Sequence, residues 1–210
     1  MKALLKQCRK GIWLFGILAL LVLAACGTNA NASTGSNNAV TPQKSDESSF
    51  TFNLVPSPNI TKCLANAGGS ATITPNSLND ELTVHVKGLA PNTGYDLFVI
   101  QLPNKPFGVS WYQSDLETNG NGEGSVSVRG IFNVETFSVS PGGTTTFAPT
   151  HQYHLGLWFN DPQVPFKLGC EPGATAPVVT PFNGEQHAGI QVLNTSNFPD
   201  NAGPLSHVSA

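Results

Sequence analysis

The chain has 210 residues, with 10 Lys and Arg against 13 Asp and Glu, a formal net charge of −3 at pH 7. That length holds one sizeable domain or two small ones. So few cations argue against a nucleic-acid partner, because neutralisation of phosphates by Lys and Arg supplies most of that affinity.

Lys2, Lys6, Arg9 and Lys10 make a basic start, followed by an unbroken apolar run of 13 residues, Gly11 to Leu23, and the small pair Ala24-Ala25. A membrane-spanning helix needs about 20 apolar residues. A shorter run that is N-terminal, preceded by cations and closed by small residues has the layout of a secretory signal. Leu23-Ala24-Ala25-Cys26-Gly27 then resembles the lipobox of bacterial lipoproteins. The resemblance covers 27 residues and implies that residues 1–25 are cut away and that the Cys26 thiol carries a diacylglycerol. An ordinary signal cut after Ala25, leaving Cys26 a free thiol, is the alternative. Stable anchoring generally takes two acyl chains, and a diacylated Cys26 would have both. The expected location is therefore outside the cytoplasm, on a membrane, with the lipid on Cys26 as the membrane contact. Removal of the four signal cations leaves six against 13 acidic residues, net −7, so anionic headgroups would weakly repel the mature chain.

Residues 26–49 are rich in Asn, Ser, Thr, Gly and Ala, and Val40 is their one large aliphatic. Such a stretch cannot bury enough apolar surface to offset the entropy of ordering, and is expected to be a flexible tether with an r.m.s. reach of roughly 25 Å. From Phe50 apolar residues recur to the end, which places one domain at 50–210.

The periodicity there is that of strands. Leu82 to Lys87 alternates apolar and polar residues, Tyr95 to Ile100 reads as a strand covered on both faces, and Gly124 to Arg129 alternates again. Ile131 to Val139, Tyr153 to Phe159 and Ala188 to Leu193 supply further strand patterns. Turn signals fall between them at Pro91-Asn92, Asn119-Gly120-Asn121-Gly122 and Pro141-Gly142-Gly143. No long helical period survives free of Gly and Pro. Gly88 to Tyr95, containing Leu89-Ala90-Pro91-Asn92-Thr93-Gly94-Tyr95, resembles the Leu-x-Pro-x-Thr-x-Tyr corner of fibronectin type III domains. The resemblance implies that the Tyr95 hydroxyl bonds back to the loop. It covers about a dozen residues and sits far earlier in the chain than in that family. The expected fold is all-β, an antiparallel immunoglobulin-like β-sandwich.

Once Cys8 and Cys26 are set aside, Cys63 and Cys170 remain. In an exported domain the simplest reading is a disulfide, with two free thiols or half of a metal site as alternatives. All five histidines, His85, His151, His154, His187 and His207, lie in the mature chain. Blue copper fails for want of a Met after Met1, and His85 has no paired ligand on its strand. His151 and His154, three apart, can meet only if His151 turns in from a loop, with His187 as a third ligand; this is the metal alternative. Asp115-x-Glu117-x-Asn119-Gly120-Asn121-x-Glu123 has alternating oxygen ligands like a calcium loop, but its twelfth position is Val126 and a hairpin turn explains the Asn-Gly pairs. There is no Gly-x-Ser-x-Gly elbow, redox Cys-x-x-Cys or phosphate loop, and Glu135 and Asp161 are carboxylates without distinguishing context. No enzyme activity and no cofactor are expected.

The chemistry-bearing candidates are aromatic. Phe107, Trp111 and Tyr112, with Trp158 ahead of Asn160 and Asp161, can form a platform for a sugar or peptide, or can fill the core. The loop Pro181 to His187 can border such a site. The expected ligand set is Trp111, Tyr112, Trp158, Asn160 and Asp161. The leading reading is a lipid-anchored envelope protein that binds a glycan or another envelope protein. A histidine metal protein and a purely structural surface protein are the alternatives.

Overall fold

A computed structural model describes residues 48–76, 78–132, 136–139, 146–149, 153–181 and 187–208. The signal, Cys26, nearly all of the tether, His151, Glu135 and residues 182–186 lie outside the described residues.

The regular structure of the described chain is mostly strand: β1 (Phe50–Pro56), β2 (Gly68–Thr74), β3 (Asp80–Lys87), β4 (Gly94–Ile100), β5 (Ser110–Glu117), β6 (Gly124–Gly130), β7 (Thr136–Val139), β8 (Thr146–Pro149), β9 (His154–Phe159) and β10 (Gln191–Asn194). One five-residue helix, α1 (Gln163–Lys167), follows β9. Eight strands form one antiparallel sheet in the order β5-β4-β9-β10-β1-β2-β3-β6, and β7 and β8 pair separately. The all-β, antiparallel expectation is met.

The sheet turns through β1. Its first five residues, Phe50 to Leu54, pair with β2, whereas Val55 and Pro56 pair with Asn194 and Leu193 of β10. The other two edges, β5 and β6, are joined by the turn after Glu117, so the sheet curls nearly back on itself. One apolar core fills the interior. Phe52, Leu54, Ala71, Ile73, Leu82, Val84 and Val86 come from β1, β2 and β3; Tyr95, Leu97, Val99, Leu155, Leu157, Phe159 and Leu193 come from the β4-β9-β10 side.

Period two explains the β3 pattern, in which Leu82, Val84 and Val86 turn inward and His85 and Lys87 face solvent. β4 and β9 behave differently. All six residues of β9, and every residue of β4 after Gly94, are buried. Their outward side chains Phe98, Ile100 and Trp158 form a second apolar cluster with Ala188 and the half-buried Phe107. Double coverage is why Tyr95 to Ile100 carries almost no polar residue.

The corner before β4 closes as the fibronectin resemblance implied. The Tyr95 hydroxyl accepts the Ala90 N–H at 3.0 Å. Thr118 reinforces it, its hydroxyl donating to the Ala90 carbonyl at 2.6 Å and accepting the Thr93 N–H at 3.0 Å. Burial pushes the Tyr95 hydroxyl far above the ordinary phenol range, so it stays protonated. Cys63 and Cys170, 107 positions apart in the sequence, form a disulfide with Cα atoms 5.0 Å apart. Closing a loop of about 100 residues is worth roughly 4–5 kcal/mol in the chain-entropy account.

Tyr95→Phe keeps the ring in the core and strips the Ala90 N–H of its acceptor. The expected loss is about 1–3 kcal/mol of unfolding free energy, read from urea denaturation; an unchanged midpoint would show that the corner adds nothing.

Candidate functional site

Outward from the Phe98-Trp158 cluster lies a cleft of about 700 Å³, within the range of small-molecule sites. Four separate stretches of chain build it: Ser57 to Asn59 after β1, the β4–β5 loop at Asn104 to Phe107, the Cys170 to Thr180 stretch after α1, and Ile190-Gln191 at the start of β10. Phe107, Trp158, Val178 and Ile190 make its apolar part. Ser57, Asn59, Asn104, Thr180 and Gln191 supply neutral polar groups, and Lys105 and Glu171 contribute one charge of each sign.

Trp158 is the floor. It is fully buried, and Phe98 and Phe107 meet its ring edge-on at centroid distances of 5.4 and 5.0 Å. The indole lies over its own strand because residue 156 is glycine. A Cβ at Gly156 would run into the Trp158 ring and come within 2.9 Å of Gln191 Nε2.

A buried polar network fixes the walls. Ser57 Oγ donates to Gln191 Oε1 at 2.8 Å, and Asn194 Nδ2 donates to the same oxygen at 2.7 Å. Gln191 Nε2 donates to the Pro103 carbonyl at 3.2 Å, so one side chain links β10, the segment after β1 and the β4–β5 loop. Glu171 Oε2 accepts the Val178 N–H at 3.0 Å, folding the Cys170–Thr180 wall on itself, and the Cys63–Cys170 disulfide ties that wall to the turn after β1. The Ser57–Gln191–Asn194 part of this network, with its side-chain groups paired, holds one arrangement of loops.

The expected ligand residues are dispersed. Trp158 is buried beneath the cleft. Tyr112, 44% exposed, stands on the outer face of β5 with its ring 5.7 Å from Phe98. Trp111, 53% exposed, precedes it on the same strand, so the two side chains leave the sheet on opposite sides. The three rings are not gathered into one platform. Asn160 donates through Nδ2 to Asp96 at 2.9 Å, and Asp161 accepts the Gln163 N–H at 2.8 Å at the start of α1. The polar residues that do line the cleft, Ser57, Asn104 and Gln191, carried no signal in a single sequence: each stands at a strand end or in a loop, and only the fold brings them together.

His154 is fully buried with both ring nitrogens engaged. Nδ1 lies 2.9 Å from the Thr195 hydroxyl and Nε2 lies 3.1 Å from the Asp200 carbonyl. A carbonyl only accepts, so Nε2 carries the hydrogen and Nδ1 accepts from Thr195, leaving no lone pair for a metal. His187 is exposed. Among the described residues no group of three or more His, Cys, Asp or Glu side chains could hold a metal ion. In the Asn119 turn, the side-chain carbonyl accepts the N–H groups of Asn121 and Glu123 at 2.8 and 3.1 Å, as a self-closed hairpin requires.

Burial lowers the His154 pKa below its ordinary 6.5. The unfolded chain therefore takes up a proton that the folded chain refuses, and stability must fall as pH drops below about 6.5, with no contribution above it. The thermal midpoint of the wild type is expected to decline between pH 7 and 5, with a smaller slope in His154→Gln. Equal slopes in both proteins would locate the acid sensitivity elsewhere.

Compared with known proteins, the chain matches no protein-family model and no curated protein sequence.

Proposed function

We propose that this chain is an exported lipoprotein, held to a membrane through lipid on Cys26, whose β-domain binds a small uncharged ligand, a glycan fragment, in the cleft over Trp158. The observation that carries the binding reading is the composition of that cleft. Its polar groups are mostly amides and hydroxyls, from Ser57, Asn59, Asn104, Thr180 and Gln191, beside the ring of Phe107. Amides and hydroxyls both donate and accept, which suits sugar hydroxyls, and a partly exposed aromatic ring suits the apolar face of a pyranose. One Lys and one Glu leave the cleft without the charge excess that a phosphate or polyamine would need.

The envelope address is supported by the order of basic start, apolar run and Leu23-Ala24-Ala25-Cys26, and by the Cys63–Cys170 disulfide, a bond of oxidising compartments. We also read the domain as a variant of the immunoglobulin-like sandwich. The β5-β4-β9-β10 and β1-β2-β3-β6 halves face each other across a common core, and the Tyr95 corner stands where the chain passes from β3 in one half to β4 in the other. Passage of β1 between the halves is what makes the pairing continuous.

Two measurements test this. Intact mass of protein taken from the native membrane is expected to show a chain beginning at Cys26 with added acyl mass; a chain starting elsewhere, or lacking acyl mass, would defeat the anchor. Membrane-extracted protein on an array of neutral oligosaccharides is expected to bind a subset, with about tenfold weaker binding in Phe107→Ala and in Asn104→Ala. A silent array, or binding indifferent to both substitutions, removes the glycan reading.

A further inference from the structure

We propose that Asp96 and Asp115 share one proton, and that this proton fastens the edge strand β5 to β4. The pair lies outside the cleft lining, so it stands or falls independently of the ligand.

Asp96 is only 1% exposed. Its Oδ1 accepts the Asn160 amide at 2.9 Å, while its Oδ2 is out of contact with water and has no hydrogen-bond partner. Directly opposite in the β4–β5 register is Asp115, and opposed residues of an antiparallel pair hold their Cβ atoms about 4.5–5.5 Å apart. Asp115 Oδ1 already accepts the Tyr112 hydroxyl at 2.8 Å, which leaves its other oxygen free to face Asp96.

The charge around the pair is of one sign. β5 contributes Asp115, Glu117 and the Tyr112 hydroxyl; β9 contributes Trp158, opposite Asp96 in register, and Asn160 and Asp161 follow it. The one ion pair among the described residues joins Arg129 to Glu81, on β6 and β3. An ionised Asp96 would thus be a buried carboxylate with an empty acceptor facing a second carboxylate, a doubly unfavourable state. A proton on Oδ2 removes both costs, because the empty acceptor becomes an O–H donor to Asp115 and the pair carries one negative charge where it would carry two. An oxygen that water cannot touch is closed to a hydrated metal ion, whereas a proton needs no room.

Burial, with Asp115 adding to it, raises the Asp96 pKa above its ordinary 3.8, and burial together with the Asp115 contact pushes Tyr112 up to about 12. The folded chain then keeps the Asp96 proton to a higher pH than the unfolded chain does. The pair's contribution is complete at acid pH and is lost as pH rises through the raised value, when the proton leaves for solvent. The strand that feels this loss is β5, an edge strand with β4 as its partner and a register slip between Leu97 and Phe98 beside the pair.

The test is a carbon-13 carboxyl titration by NMR of the full-length protein in detergent micelles, run with thermal midpoints of wild type, Asp96→Asn and Asp115→Asn. Asn at 96 imitates the protonated acid, and Asn at the exposed position 115 offers Asp96 Oδ2 a donor. In the wild type, the Asp96 carboxyl is expected to titrate above its ordinary 3.8. Asp96→Asn is expected to raise the midpoint by about 3 °C above that titration and to abolish the loss on its alkaline side; Asp115→Asn is expected to move the Asp96 titration down. An Asp96 titration at its ordinary value, or one that Asp115→Asn leaves in place, overturns the proposal. So does a midpoint that millimolar calcium or magnesium raises in wild type and not in Asp96→Asn, since a cation would then do the neutralising.

Discussion

The arrangement depends on an indole lying flat against a strand. β4 and β9 are buried on both faces, so the curled sheet has an apolar exterior here as well as an apolar interior, and something must cover it. Trp158 does so, and it can lie down only because Gly156 has no side chain to lift it. Once the indole is down, Phe98 and Phe107 pack edge-on to it, the β4–β5 loop is drawn over the sheet, and a floor exists on which the other loops leave a cavity. Burying a large aromatic contributes roughly 1.5–3 kcal/mol, so the same packing that holds the loop makes the cleft.

The walls rest on a different physics. Strand pairing reaches the rim only at single points, Gln191 opposite Trp158 and Thr180 opposite Ala188, and the loop residues between carry an entropy cost that side-chain bonds must offset. Gln191 does this by touching three segments through one amide, and Glu171 by closing its own segment onto Val178. The Cys63–Cys170 bridge acts on the unfolded chain instead, shortening what is otherwise a closure over more than a hundred residues. Packing, polar bonding and covalent constraint thus act on different parts of one rim.

Legibility in the sequence followed the alternation of exposure. β3 and β6 were readable because one face meets solvent, and β4 because a run without polar interruption needs cover on both sides. Ser110 to Glu117 carries no clear strand pattern, since Leu116 is its one fully buried residue and the register slips beside Gln113. The Tyr95 corner and the Cys63–Cys170 pairing were legible because few residue types can do what they do. The aromatic residues stand out in the sequence, but a single sequence does not say which face of a strand a ring takes, and Trp111 and Tyr112 part on that account. The cleft left no local trace at all, because its lining residues are gathered from positions 57 to 191 by chain topology.

One consequence of the double pairing of β1 is mechanical. The strand receives the chain from residues 48 and 49 at Phe50 and ends at Pro56, next to Ser57, which lines the cleft. Its partners are β2 along the first five residues and β10 at the last two. Tension applied to the leading segment and resisted within the domain would therefore run along the strand axis. Ladder hydrogen bonds lie across that axis, so such a load must shear its rungs together and cannot open them one at a time.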